Sequence, residues 1–380
     1  MAISFIKDIP STILTAYNNH IIEFFSDNEL TPKYATLSFS SAQAVIYALP
    51  NGIFWFNFQS YIPYLINTND FADVVEPEIV GSDLETYVYV GNNGKYLNFT
   101  LTIEITFSDN STESVTRDLS FIAGVQQLSD IKTDEFVLNT DLFLLSQFIK
   151  ESNVSYYLRY YKGYPFDFSY FSKDIMNIEI TNNRNLSNVE LTSLQEITRV
   201  FISDGVTDMN VENVLAIGNG LNPLSLTDGT NTCYIELETF ENTCGGLYVK
   251  WINRLGGYSY WLFSDYFQKT RTYKNIGEIN NDFKNVEDTF AVTKQIGKTT
   301  GEAVEVIEEN LSVRDFNLLS DILESPKVQL FTGLPFSRVK QIDWIDIQVN
   351  TQKAIIRNFK NEPITIKFSF DLPDKFNITL

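Results

Sequence analysis

Gly246-Leu247-Tyr248-Val249-Lys250-Trp251-Ile252-Asn253-Arg254-Leu255-Gly256-Gly257-Tyr258-Ser259-Tyr260-Trp261-Leu262-Phe263 decides how this chain is read. Two runs rich in aromatic and β-branched residues, which suit a pleated strand, meet at residues 253–257. The paired glycines Gly256 and Gly257 can take positive φ, so the strands can reverse tightly. With a period of two, Tyr258, Tyr260 and Leu262 share one face, and Trp261 and Phe263 share the other. The stretch holds no nucleophile or base. It reads as a rigid aromatic hairpin, fit for a subunit contact or a domain hinge.

The same grammar extends outward. Residues 101–107 alternate apolar and polar, turn at Ser108-Asp109-Asn110-Ser111 and return through Glu113 to Phe121. Residues 44–49 and 53–58 flank the turn Pro50-Asn51-Gly52, and residues 87–90 and 96–99 flank Gly91-Asn92-Asn93-Gly94; both pairs predict hairpins. Residues 234–240 alternate as well. Helical spacing is rarer. Leu142, Leu145, Phe148 and Ile149 follow the cap signal Thr140-Asp141, residues 190–198 read as a short helix, and residues 312–324 place Phe316, Leu319 and Leu323 on one side before Ser325-Pro326. The expected fold class is mainly β and multi-domain, with β-sandwich or barrel domains and a few short helices.

At 380 residues the chain exceeds one ordinary core. The expected division is an N-terminal β domain over 1–135 and a central β-rich domain with the aromatic hairpin over 136–272. A polar extended connecting arm follows over 273–310, then a C-terminal helix with strands over 311–380.

Composition narrows the chemistry. His20 is the one histidine, beside 20 tyrosines and 30 phenylalanines. Imidazole acid/base or metal chemistry is therefore not expected to be the basis of function, and no cofactor or metal is expected. The net charge is −20. Phosphate-binding surfaces need clustered Lys and Arg, so direct sequence-specific nucleic-acid binding is not expected. Cys233 and Cys244 fit either two reduced thiols or a disulfide across a hairpin. The first eight residues show no basic region followed by an apolar run, so no signal peptide is expected. No apolar stretch approaches the roughly 20 residues of a membrane span. Asn-x-Ser/Thr triplets at Asn98, Asn110, Asn153, Asn185, Asn310 and Asn377 read as chance in an Asn-rich chain.

Four constellations invite a chemical reading. Gly297-Lys298-Thr299 looks like the end of a phosphate-binding loop, but Val292 stands where that loop needs glycine; a turn is the simpler reading. Glu236 and Glu238 share a strand face, and Asp343 and Asp346 flank Trp344-Ile345. Such pairs could hydrolyse a glycosidic bond, and they also arise freely among 48 acidic residues. Tyr156, Tyr157, Tyr160, Tyr161, Tyr164, Phe166, Phe168, Tyr170 and Phe171 form a dense aromatic run, which suits a contact surface or the inner face of core strands. The interface candidates are Tyr248, Trp251, Asn253, Gly256, Gly257, Tyr260, Trp261 and Phe263 of the hairpin, with Tyr160 and Tyr164.

The hairpin's Trp251-x-Asn253-x-x-Gly256-Gly257-x-x-x-Trp261-x-Phe263 pattern resembles a segment of virion structural proteins, from tail, baseplate or connector, of Bacteroidota tailed phages, including crAss-like phages. Pro50-Asn51-Gly52-Ile53-Phe54-Trp55-Phe56-Asn57 and Leu323-Glu324-Ser325-Pro326-Lys327-Val328 look like further landmarks of that group. The resemblance implies a non-enzymatic virion subunit, made in the host bacterial cytoplasm. Its role would be a distal tail or hub ring, adapting tube to baseplate or fibres. The implied partners are further copies, in a six- or twelve-fold homo-oligomeric ring, and other virion tail proteins. A collar or connector ring subunit, a carbohydrate- or receptor-binding adhesin and a carboxylate glycoside hydrolase are the alternatives. No fibre-like repeat is present.

Overall fold

The computed structural model describes residues 3–378 except 74, 76–83, 92–93, 127–140, 147, 151–153, 175–176, 195, 206–209, 242–244, 265, 281–286, 288–290, 334–343, 352–363 and 376. The chain is mainly β, as the alternation predicts, and among the described residues its strands form five sheets packed into β-sandwich units.

The 101–107 run lies in Tyr96–Phe107, which pairs antiparallel with Thr112–Ile122. These two strands anchor a five-stranded sheet completed by Ile13–Thr15, Pro32–Phe39 and Ala42–Ile46. Alternate residues Leu37, Phe39, Leu101, Ile103 and Ile105 are buried, and they face a three-stranded sheet of Ile3–Lys7, Ile21–Ser26 and Phe54–Asn57. Phe39 bridges the two sheets, with ring centroids 6.1 Å from Phe56 and 5.6 Å from Phe58. His20 belongs to this core. Its Nε2–H donates to the Thr15 carbonyl at 2.7 Å, and burial pushes its pKa down, so the ring is held neutral.

Two expected hairpins turn out to be crossings between sheets. The Pro50-Asn51-Gly52 turn forms, with Gly52 at φ 81° and Leu49 N–H donating to the Ile53 carbonyl at 2.8 Å. It carries the chain from Ala42–Ile46 in one sheet to Phe54–Asn57 in the other. Val88–Val90 likewise leaves Tyr96–Phe107 and pairs with Val200, Arg199 and Thr198 far along the chain. Turn chemistry fixes the reversal, while burial of both flanking runs decides which sheet each one joins.

The second unit stacks a four-stranded sheet on a six-stranded one. The first is ordered Leu142–Leu144, Pro165–Ser172, Ile197–Asp204, Val88–Val90; the second Phe148–Lys150, Val154–Tyr161, Thr232–Phe240, Gly220–Thr227, Asn177–Asn182, Ser187–Thr192. Pro165–Ser172 and Ile197–Asp204 are buried at every position, so this sheet is an inner layer covered on both faces. The aromatic run is therefore core: Tyr156, Tyr160, Tyr164, Phe166, Phe168, Tyr170 and Phe171 are all buried. The helix expected around Leu142 and Leu145 is two short strands, and the one expected over 190–198 is the end of one strand and the start of the next. Leu142–Leu144 and the strand beginning at Ile197 are buried at every position, and apolar residues three and four apart in such strands imitate helical periodicity.

The last unit is a seven-stranded sheet ordered Tyr258–Phe263, Leu247–Ile252, Val328–Phe331, Trp344–Val349, Ile364–Asp371, Thr293–Leu311, Tyr266–Asn280. The helix Val313–Ser320 forms on cue, its Ser312 side chain accepting the Asp315 N–H at 3.1 Å. Phe316, Leu318 and Leu319 are buried against this sheet in a second core cluster. Strand pairing crosses the borders expected from sequence. Val88–Val90 belongs to the central sheet, and the hairpin expected in the 136–272 domain pairs with Val328–Phe331. The expected 273–310 arm is most of a β-ribbon, in which Tyr266–Asn280 pairs with Thr293–Leu311. Gly297-Lys298-Thr299 sits within that second strand, not in a turn.

Candidate functional site

The hairpin is a wedge between two cores. Leu247–Ile252 and Tyr258–Phe263 pair in register, Val249 opposite Trp261 and Lys250 opposite Tyr260. One face presents Tyr248, Ile252, Tyr258, Tyr260 and Leu262 to the larger core, and the other presents Val249, Trp251, Trp261 and Phe263 to the core of the seven-stranded sheet. The two faces are those the alternation predicts. Every interface candidate is buried within this one chain: Tyr248, Trp251, Asn253, Tyr260, Trp261, Phe263, Tyr160 and Tyr164. This corrects the expectation of a subunit contact, because these rings are already covered by their own chain. Tyr164 and Tyr248 lie 4.4 Å apart, Tyr160 and Phe166 5.1 Å, and Phe166 and Tyr260 5.3 Å. The Tyr248 hydroxyl donates to the Pro165 carbonyl at 2.9 Å. Phe263 packs 5.8 Å from Phe368.

The tip explains its own sequence. Asn253 Oδ1 accepts the N–H groups of Leu255 and Gly257 at 3.0 and 3.2 Å, while its Nδ2 donates to the Leu145 carbonyl at 3.0 Å. Gly256 takes φ 83°, and a Cβ there would lie 2.5 Å from the Ala123 carbonyl oxygen. Gly257 is glycine for a different reason: its Cβ would lie 1.9 Å from the Leu145 carbonyl oxygen. Val125 N–H donates to the Arg254 carbonyl at 2.7 Å. The tip thus joins the N-terminal unit to the central one.

Beneath the hairpin lies a buried ionic cluster that no motif announces. Arg199 donates from Nε and Nη2 to the two oxygens of Asp167, both at 2.7 Å, and from Nη1 to Asp73 at 2.7 Å. Lys250 Nζ donates to the other Asp73 oxygen at 2.6 Å. The Tyr260 hydroxyl donates to Asp167. Lys95 Nζ lies 4.0 Å from the Tyr258 ring centroid, and the Arg199 guanidinium 4.5 Å from it. Lys250 stands 4.4 Å from the Trp344 ring. These side chains come from all three units; the charged ones are buried, and Trp344 is half-buried beside them. Isolated charges in such a place cost far more than paired ones. Burial opposes ionisation of Asp73, but Arg199 and Lys250 outweigh it and hold its carboxyl below the usual range. Burial pulls Lys250 down, partly countered by Asp73. Each member is a lone charge inside an apolar strand or loop. That was the available signal, and single-residue signals of this kind do not say which charges meet.

Lys95 is the odd member. Burial, with Arg199 close by, pushes its pKa from 10.5 down to about 7. With Lys95 neutral, two cations balance two carboxylates. An unfolded chain keeps Lys95 protonated up to about pH 10, so between pH 7 and that point unfolding takes up a proton and stability rises with pH. Lys95→Met is therefore expected to raise stability by roughly 1–3 kcal/mol near pH 6, with the gain shrinking towards pH 9. Paired urea melts at the two pH values check this; a variant less stable than wild type at pH 6 contradicts it.

A second link ties the central unit to the C-terminal one. Arg159 lies 3.9 Å from the Trp261 ring and 4.1 Å from the Phe240 ring, and pairs with Asp315 at 2.7 Å. The carboxylates singled out from sequence serve the same seam. Glu236 pairs with Arg314 at 2.6 Å, and Glu238 accepts the Tyr157 hydroxyl. Asp346 accepts from Gln329 at 2.7 Å; Asp343 lies outside the described residues. Cys233 is buried with its thiol pushed up to about 12, chiefly by burial, and Cys244 lies outside the described residues. Among the described residues, no three His, Cys, Asp or Glu side chains converge as a metal site. No described helix is long and apolar enough to cross a membrane.

Fold and junction define the chain as a multi-domain β-sandwich protein. No family model and no curated protein matches it. Among solved structures it is similar to fibronectin(III)-like modules of Clostridium thermocellum CbhA, at 6% identity over 63% of this chain and 94% of that one, TM-score 0.20. It is similar to domains 4–9 of the surface layer protein SbsC at 8% identity over 97% and 42%, TM-score 0.21. The Ig1-2 module of the Drosophila receptor protein tyrosine phosphatase DLAR aligns at 8% identity over 63% and 100%, TM-score 0.18. Scores this low bear on neither descent nor function.

Proposed function

We propose that this chain is a structural subunit of a bacteriophage tail, a distal tail or hub ring component that adapts the tube to baseplate or fibres and acts by assembly, not catalysis. The phage setting comes from the sequence resemblance alone. One observation carries the assembly reading: the β-ribbon of Tyr266–Asn280 and Thr293–Leu311, whose outer strand ends its sheet and, among the described residues, pairs with no strand on its other edge. Beyond the Ala303–Asp371 pair and the Thr300–Lys375 bridge the ribbon is two-stranded among the described residues, and a two-stranded ribbon has little stability by itself, so this portion suits completion by another molecule. The buried junction supports the same reading, because it fuses three units into one body able to transmit load.

Two of the surfaces that rival readings would use are otherwise engaged. The aromatic run that would have formed a sugar-binding platform is core, and Glu236 and Glu238 are engaged by Arg314 and Tyr157. An adhesin would have to use other aromatics, such as Tyr47, Trp55 and Tyr64, which are exposed on the N-terminal unit. Light scattering on the native protein tests the proposal. The expected result is a closed ring of six or twelve copies; a monodisperse monomer of 43.5 kDa at micromolar concentration sinks it.

A further inference from the structure

Three cations share one buried ring. The Tyr258 centroid lies 4.0 Å from Lys95 Nζ, 4.5 Å from the Arg199 guanidinium and 5.1 Å from Lys250 Nζ. Among the described residues two carboxylates answer them. Asp167, on Pro165–Ser172, takes Arg199, and Asp73, on the segment after the short helix Ile62–Ile66, takes both Arg199 and Lys250. The Tyr260 hydroxyl on the hairpin also goes to Asp167. Lys95 comes from the N-terminal unit and forms no ion pair among the described residues. A protonated Lys95 therefore sets three cations against two carboxylates in a place shielded from solvent, where a surplus charge is costly. Burial first, then Arg199, push its pKa down to about 7, against the partial pull of Asp73 and Asp167.

Lys95 also stands where the N-terminal unit meets the hairpin. Its carbonyl accepts the Ala123 N–H at 2.7 Å, and the residues after Ala123 touch the tip: the Val125 N–H donates to the Arg254 carbonyl at 2.7 Å. Gln126 is tied back to its own unit, its N–H donating to Asn18 Oδ1 and its carbonyl accepting from Asn18 Nδ2, both at 2.8 Å. Lys95 and residues 123–126 thus move as one piece. The other members are anchored elsewhere. Asp167 and Arg199 lie on paired strands of the inner sheet, and Lys250 and Tyr258 lie in the hairpin. Asp73 and Val88–Val90 stay clasped to the central unit by Arg199 and by strand pairing.

We infer that this seam is a proton-operated latch, closed while Lys95 is a neutral amine and opened when Lys95 takes a proton and moves out to water with residues 123–126. The N-terminal sandwich is the moving part, and the clasp of Asp73 and Val88–Val90 limits its travel. Global unfolding is not required: one seam opens and the other sheets stay closed. The direction follows from the proton count. An open Lys95 keeps its proton up to about pH 10, and a closed one up to about pH 7. Opening therefore takes up a proton between those values and is favoured as pH falls through that window. Below pH 7 both forms are protonated and the dependence ends. The opening constant rises roughly 50-fold from pH 9 to pH 7 and less than about twofold more from pH 7 to pH 6.

Hydrogen exchange of the full chain from pH 6 to pH 9, read by peptide mass spectrometry and corrected for the intrinsic rate, is the test. The Val125 amide, followed in overlapping peptides, should exchange roughly 50-fold faster at pH 7 than at pH 9, while peptides from 165–172 keep one rate. Lys95→Met, which cannot take up a proton, should leave the seam equally protected at both pH values. Lys95→Arg, which does not release one in this range, should leave it equally open at both. The wild-type profile serves if either variant misfolds, since the rise must level off below pH 7. A seam rate independent of pH overturns the inference, and so does a pH dependence that survives Lys95→Met. Peptides from 165–172 opening in step with the seam overturn it in favour of global unfolding.

Discussion

Arg199→Met is expected to cost about 3–5 kcal/mol, enough to unfold or aggregate much of the protein at 37 °C. Among the described residues, Arg199 is the one cation bonded to Asp167 and one of two bonded to Asp73. Its removal leaves the Asp167 carboxyl buried without its cation, with the Tyr260 hydroxyl as its remaining donor in this cluster. The informative companion is Arg199→Met/Asp167→Leu. The double variant keeps the Asp73–Lys250 pair in charge balance, so it should regain part of the loss. Recovery beyond additivity measures the coupling directly. Urea melts of wild type, both single variants and the double variant provide the cycle. A single Arg199→Met chain that melts like wild type shows that the cluster does not hold the units together.

Gly257→Ala is expected to separate the N-terminal and central units from the hairpin, at a cost of at least ~3 kcal/mol. The added Cβ would meet a main-chain oxygen 1.9 Å away, on a segment anchored by its own strand. Backbone cannot swing aside as a long side chain can, so the tip must withdraw. Withdrawal also breaks the Asn253 bond to Leu145 and the Val125 bond to Arg254. The expected melt loses its single transition and gains an early one. Gly245→Ala is the control: a Cβ there meets nothing within 4 Å, so the change should be near neutral. Matching melts for both alanine variants would remove the wedge from the argument.

Much of the fold is legible in the sequence, and the reason is local. The 101–107 alternation, the helix read from residue 312 and the two faces of the 247–263 hairpin each depend on residues close in the chain, and each forms as read. What local reading misses is partnership at a distance. The turns at Pro50-Asn51-Gly52 and Gly91-Asn92-Asn93-Gly94 say that the chain reverses, not which sheet receives each arm. The aromatic richness of the hairpin is plain, yet whether it faces a neighbour or its own interior depends on what folds over it. The ionic cluster is the extreme case. Asp73, Lys95, Asp167, Arg199 and Lys250 are single charges scattered over 178 residues, each unremarked in its own neighbourhood. Lys250 carries the best clue, since it shares its strand face with Tyr248 and Ile252.

The distance between Asp73 and Lys250 sets a clock for biosynthesis. They are separated by 177 positions, which a ribosome covers in roughly 10–35 seconds at 5–20 residues per second. Val88–Val90 also waits, for partners at residues 198–200. Until residues 198–200 emerge, the nascent N-terminal segment holds Asp73 without Arg199 and Val88–Val90 without its neighbour, and Asp73 waits longer still for Lys250. Maturation is therefore a late, concerted event, in which the arriving hairpin completes regions translated long before it.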